Sequence, residues 1–200
     1  MSGIKKLASF DIVKRRNNDQ PTPLHAVATD LEVVVDKSGS MSTMGNVPAE
    51  QIHELIKDQR KLALDENRKI TMSVTVFDST ANTVIDNIDL SDPDTQLPTF
   101  QEVTNMLNPG GLTRFYDTIL ERVASQKARA KNIVKALPYS IRSLNPRVNR
   151  ILYVLTDGED NRSSMGMQHL RRALNTNKAL GDFTAVFLAA NIGDAEIVGE

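Results

Sequence analysis

From Leu31 onward the spacing of apolar residues switches repeatedly between two periods. Leu31–Val35 is apolar throughout except for Glu32, as expected of a strand covered on both faces. Beyond Pro48, the residues Ile52, Leu55, Ile56, Leu62 and Ala63 recur at helical spacing and predict an amphipathic helix. In Ile70–Phe77 the pattern becomes alternating: Met72, Val74 and Val76 face one way and Thr71, Ser73 and Thr75 the other, which reads as a strand. Asp78-Ser-Thr then turns the chain into a short second strand, Thr83–Ile88, expected to pair antiparallel at the sheet edge. A loop through Asp92-Pro93 and Leu97-Pro98 leads to a short helix over Phe100–Leu107. After Gly110-Gly111 a long helix is marked by Tyr116, Ile119, Leu120, Val123, Ile133, Val134 and Leu137, and Pro138 stops it. Tyr139–Arg147 reads as a connector and Arg150–Leu155 as a strand. A helix carrying Met167, Leu170, Leu174 and Leu180 follows, capped by Ser163 or Ser164, and Phe183–Ala190 is the last clear strand.

Strands alternating with helices predict an α/β fold: a doubly wound, mostly parallel sheet with helices on both faces and one antiparallel edge strand. The 200 residues suit one domain plus a short extension. Residues 1–30 are expected to be a basic N-terminal extension and linker, with Lys5, Lys6, Lys14, Arg15 and Arg16 ahead of the polar run Asn17–Pro23, and the domain itself to span 31–200. Ile4, Leu7, Phe10, Ile12 and Val13 in the extension fit either a short helix or an edge strand.

Composition narrows the function classes. With 40% hydrophobic and 24% charged residues the chain is expected to fold rather than stay disordered. A net charge of -1 advertises neither nucleic acid nor membrane as a partner. The absence of cysteine excludes thiolate metal sites, cysteine nucleophiles and disulfides, and leaves the redox compartment open. No apolar run approaches the ~18 residues of a transmembrane segment. The N-terminus lacks the apolar core of a secretory signal, so a cytoplasmic location is expected. Charge is nevertheless uneven, since Arg122–Arg150 holds eight basic residues and no acidic one. Such a stretch can form a cationic face for nucleic acid, acidic lipid or an acidic partner. Tyr139 is the only aromatic there and the helix needs a polar face anyway, so a nucleic-acid role is the weaker reading.

The candidate chemistry sits at element boundaries. Asp36, Ser38 and Ser40 close the first strand, where a turn through Gly39 directs two hydroxyls back toward the carboxylate. Thr113 follows the Gly110-Gly111 turn just before the long helix, and Asp157 is the carboxylate that closes the apolar strand in the run Ile151-Leu-Tyr-Val-Leu-Thr-Asp-Gly-Glu-Asp-Asn161. All five offer hard oxygen, the donor type that suits magnesium, calcium or manganese rather than zinc or copper. Singly, each has an ordinary alternative role as a turn or helix cap. Glu159 and Asp160, close behind Asp157, read as a solvated loop in preference to outer partners of the site or a repellent to anionic ligands, Asp117 as a complement to the helix dipole, Asp78 as a turn starter and Lys37 as a rim residue. The scattered histidines His25, His53 and His169 do not read as ligands or bases. Met41, Met44, Met165 and Met167 suit either the rim of the crevice or the core.

Taken in order, these three segments resemble the von Willebrand factor A domain with its metal-ion-dependent adhesion site. The resemblance runs from about Asp30 onward and falls on Asp36, Ser38, Ser40, Thr113 and Asp157. It implies a metal, magnesium by default, held by these residues, and a protein partner that offers a carboxylate to it. Family members usually carry a sixth strand and a closing helix, for which Asp194–Glu200 leaves little room. The expectation is a reduced or shortened fold whose open edge is covered by the basic N-terminal segment or by a partner. Two alternatives keep the same crevice. One is a non-catalytic subunit working with an ATPase. The other is a metal-assisted phosphoryl-transfer or hydrolytic enzyme. Against an enzyme, the chain has no Gly-x-x-x-x-Gly-Lys-Ser/Thr loop, no Gly-x-Ser-x-Gly elbow, and Ser38 where a phosphoaspartate-forming hydrolase needs a second aspartate.

Overall fold

The computed structural model describes residues 26–157 and 160–189. In chain order the elements are β1 (Ala26–Asp36), α1 (Val47–Asp65), β2 (Ile70–Phe77), β3 (Ala81–Asp89), α2 (Phe100–Met106), α3 (Phe115–Ala136), α4 (Tyr139–Arg142), β4 (Arg147–Thr156), α5 (Met167–Lys178) and β5 (Phe183–Ala189). A 3-10 turn over Gly39–Met44 joins β1 to α1.

The sheet has five strands in the order β3-β2-β1-β4-β5. β1 pairs parallel with β2 and β4, β4 pairs parallel with β5, and only β3 runs antiparallel, against β2. The chain therefore winds outward from β1 in one direction and then, from β4, in the other. The order reverses between β1 and β4, where an open α/β sheet forms its crevice. The expected α/β, doubly wound architecture with one antiparallel edge strand is present.

Side-chain alternation sorts the core into two layers. Leu31, Val33 and Val35 join Met72, Val74 and Val76 on the face covered by Ile52 and Ile56 of α1 and Val103 of α2. Val34, Phe77, Leu152 and Val154 face the other way, onto Phe115, Ile119 and Val123 of α3 and Leu170 of α5.

On this second face the strand ends nearest Ala26 carry charge instead of hydrocarbon. Asp30 and Glu32 are each 0% exposed. Arg129 of α3 spans them, its Nε 3.1 Å from Asp30 Oδ2 and its Nη2 bonded to Glu32 Oε2. Thr75 donates to Glu32 at 3.0 Å, and Gln126 donates to the carbonyls of Asp30 and Ile151 at 2.8 and 3.0 Å. Burial pushes both carboxyls above their ordinary range, against the opposing charge and hydrogen bonds of Arg129. Glu32 is thus an anchor for α3 and not a blemish in an apolar strand.

The basic stretch is corrected in the same way. Arg129 is turned inward, Arg122 donates to Thr83 at 2.9 Å, and Arg150 is 2% exposed. Arg150 bonds Asn177 at 2.8 Å and Asp182 at 2.6 Å while its guanidinium lies over the Phe183 ring. The eight cations therefore do not form one continuous face, because three of them hold the fold together.

Several boundaries also move. β1 starts at Ala26, so residues 26–30, expected to belong to the linker, are strand. β4 starts at Arg147 and α4 interrupts the connector. α5 starts after Gly166, so neither Ser163 nor Ser164 is its cap. Among the described residues β5 is an edge of the sheet, and the expectations for residues 1–25 and 190–200 lie outside those described. No helix of the described residues is long and apolar enough to cross a membrane.

Candidate functional site

Asp36 is delivered to the crevice by the central strand, and it is 1% exposed. Its Oδ1 accepts from Ser38 N–H at 2.8 Å and its Oδ2 from the Thr156 hydroxyl at 2.7 Å, so both oxygens are oriented. Burial raises its pKa. The bonds from Thr156 and Ser38 oppose the rise, and the nearby Asp157 charge adds to it.

Past Asp36 the chain tightens into the 3-10 turn. Ser38 stands at its N-cap position, yet its hydroxyl makes no capping bond. That hydroxyl instead lies 3.1 Å from Ser40 Oγ, and Ser40 in turn donates to Asp157 Oδ1 at 2.9 Å. Ser38, Ser40 and Asp157 thus form one string of side-chain oxygens across the β1/β4 junction, and Asp36 joins it through the Ser38 amide. The capping role considered for Ser38 is not the one it plays.

Thr113 reaches the same end of the sheet and is 3% exposed. Among the described residues no hydrogen bond joins its hydroxyl to the other four. Its place is set by the main chain: its N–H donates to Asn161 Oδ1 at 2.8 Å and its carbonyl accepts from Asn161 N–H at 3.0 Å. The preceding turn is bonded to the first loop, Gly110 N–H to Lys37 O at 2.8 Å and Gly39 N–H to Gly111 O at 3.3 Å. Gly111 has φ +78°, and an added Cβ would sit 3.1 Å from Ser79 Oγ and 3.2 Å from Asp78 Cβ, so both conformation and space require glycine there.

Residues with modest sequence signals complete the site. Asp160, expected in a solvated loop, caps α3 by accepting from Phe115 N–H at 2.8 Å and Tyr116 N–H at 3.3 Å. Ser163 accepts from Asp117 N–H at 3.0 Å, and Asp117 accepts from Ser164 and Met165 N–H at 2.9 and 2.8 Å. The segment after β4 is therefore fastened to the start of α3 by reciprocal bonds. Asp78 does start a turn, accepting from Thr80 N–H at 2.9 Å, and it also holds Lys37 in an ion pair. Against the effect of its burial, the bond and charge of Lys37 and the bonds from Thr80 keep its carboxyl below the usual range. Asn161 and Thr156 were legible only as members of the run around Asp157, because nothing in their residue type announces a supporting role. Met41, considered for the rim, is 3% exposed and belongs to the core, whereas Met165 is 48% exposed.

Beside Asp36 a cavity of about 430 Å³ opens between the 3-10 turn, the start of α1 and the end of α2.

No protein-family model matches the chain, and no curated protein does. Proximal thread matrix protein 1 from the mussel byssus is similar in structure, with a TM-score of 0.54 at 17% identity, over 82% of this chain and 38% of that one. A von Willebrand factor type A structure from Catenulispora acidiphila gives 0.45 at 18% identity, over 82% and 33% of the two chains. The PilB minor pilin from Streptococcus sanguinis gives 0.46 at 17%, over 70% and 32%. The first likeness is one of fold alone. The chain spans between 32% and 38% of the length of these proteins.

Proposed function

We propose that the chain is a metal-dependent protein-binding module of the von Willebrand factor A type, in which Asp36, Ser38, Ser40, Thr113 and Asp157 hold a magnesium ion. The observation that carries this reading is convergence: Ser38 and Ser40 after β1 and Asp157 after β4 are joined by hydrogen bonds of 3.1 and 2.9 Å, with Asp36 bonded beside them and Thr113 at the same end of the sheet. Hard oxygen donors of this kind suit magnesium, calcium or manganese, and magnesium is the default because it keeps several waters.

The donor set has the matching chemistry. Two carboxylates formally balance a divalent ion, and with three neutral hydroxyls the five donors leave one of magnesium's six octahedral positions to water. A bound ion would supply an electrophilic position at which a partner's carboxylate replaces water. The chain's own contribution is to hold the donors still. Thr156 and the Ser38 amide fix both oxygens of Asp36, and Asn161 fixes the backbone of Thr113. Outer partners of this kind orient metal ligands.

Calorimetric titration with magnesium tests the assignment. Asp36→Ala and Thr113→Ala should abolish the binding heat while circular dichroism stays unchanged, because Asp36 closes a strand and Thr113 lies in the loop before α3. Parent-like binding by either variant would refute the assignment.

A further inference from the structure

The cavity beside Asp36 has a composition that bears on what approaches the metal site. Its floor is apolar, with Met41, Ala49 and Leu107. Its rim carries the carboxamides of Asn46, Asn105 and Asn108. Asp36 is the only charged side chain in the lining, and its two oxygens already accept from Ser38 and Thr156. The lining therefore holds no cation to pair an acidic visitor, and its one carboxylate is committed to the proposed metal site. Among the described residues the side chains of Asn46 and Asn108 make no hydrogen bond, so their amides are available to main-chain N–H and C=O groups of a visitor. A volume of about 430 Å³ lies toward the small end of ligand pockets, which run from about 300 to 1,000 Å³. That is room for one side chain with its flanking backbone.

We infer that this cavity is a specificity pocket for a peptide segment of the partner, taking an uncharged apolar side chain a short, fixed distance from the acidic residue offered to the metal. The inference rests on the proposed metal reading and deepens it. Asp36 belongs to both sites: it lines the pocket, and its carboxylate accepts from the amide of Ser38, whose hydroxyl begins the string. An acid anchored at the first site brings its neighbour over the second. The asparagine rim then reads the extended backbone between them, and the Met41–Leu107 floor selects against charge, since a buried unpaired charge is expensive. Specificity would come from this pocket, because any carboxylate satisfies the metal equally well.

The test is selection of a random linear peptide library on the full chain, in magnesium and in chelator, with parent, Leu107→Asp and the doubly substituted Asn46→Ala/Asn108→Ala. The expected parent pool is chelator-sensitive and enriched in one acidic residue with an apolar residue at constant spacing. Leu107→Asp should bind the best parent peptide roughly tenfold to a hundredfold more weakly, the equivalent of losing one buried aliphatic side chain. Its own selected pool should keep the acid and lose the apolar preference. The rim double variant, altered only at exposed side chains, should keep both preferences at reduced affinity and serves if Leu107→Asp fails to fold. An acidic, chelator-sensitive pool with no apolar position, or one that both variants bind like the parent, overturns the pocket while leaving the metal reading intact. A pool indifferent to chelator and lacking acids overturns the metal reading, and an empty pool counts against both.

Discussion

Arg129 is the residue whose removal tests the structural logic most severely. A single guanidinium serves two fully buried carboxylates: its Nε and Nη2 lie 3.1 and 3.2 Å from the oxygens of Asp30, and Nη2 also bonds Glu32. Arg129→Met keeps the apolar stem that packs α3 against the sheet and deletes only the charge. Breaking a buried ion pair on one side leaves an uncompensated charge and costs about 3–5 kcal/mol. That is a large part of the ~5–15 kcal/mol that holds an ordinary domain folded. The sign of the pH dependence follows from the carboxyls. Burial raises both above their unfolded values, which are about 3.9 and 4.3. A group raised in the folded state stabilises fully below its unfolded pKa, and that contribution is lost as pH rises through the folded value. Without Arg129 the folded values rise further, so the variant should lose stability more steeply above about pH 4 than the parent. Urea unfolding followed by circular dichroism at neutral and mildly acidic pH measures this. The expected result is a large deficit at neutral pH that narrows in acid. A deficit below about 1 kcal/mol, or one unchanged by pH, would refute the account. Adding Asp30→Asn and Glu32→Gln to Arg129→Met should recover much of the loss at neutral pH.

Other perturbations probe the site from its supports. Thr156→Val removes the hydroxyl bonded to Asp36 Oδ2, and magnesium affinity measured by calorimetry should fall about 10–100-fold with the metal donors themselves intact. Asp160→Ala uncaps α3 and should cost about 1 kcal/mol in urea unfolding, with faster amide exchange confined at first to Phe115 and Tyr116. Gly111→Ala places a Cβ against Asp78 and Ser79 at positive φ, so a stability loss of about 1–2 kcal/mol and weakened magnesium binding are expected together.

What the sequence disclosed, it disclosed through periodicity. Met72, Val74 and Val76 alternate cleanly, Leu31–Val35 is apolar but for Glu32, and both strands lie where those patterns put them. Asp36 and Asp157 were placed at the ends of neighbouring strands because each closes an apolar run, and β1 and β4 are adjacent. Polar residues were harder to read, because their role depends on a partner far along the chain. Glu32 looked like an interruption, and its explanation stands 97 positions away on α3. Asp160 looked solvated because the N–H groups it caps are 44 and 45 positions distant. Arg122, Arg129 and Arg150 added up to a surface on paper, but charge counting cannot tell an outward cation from one facing a buried acceptor.

The backbone bonds that tie Lys37 to Gly110, Gly39 to Gly111, Asp78 to Arg114 and Thr113 to Asn161 stitch four separate loops into one seam. None of those bonds uses a side chain. Identity at the rim can therefore drift while the scaffold beneath keeps its shape, and a lineage could exchange one recognition preference for another without first relearning how to fold.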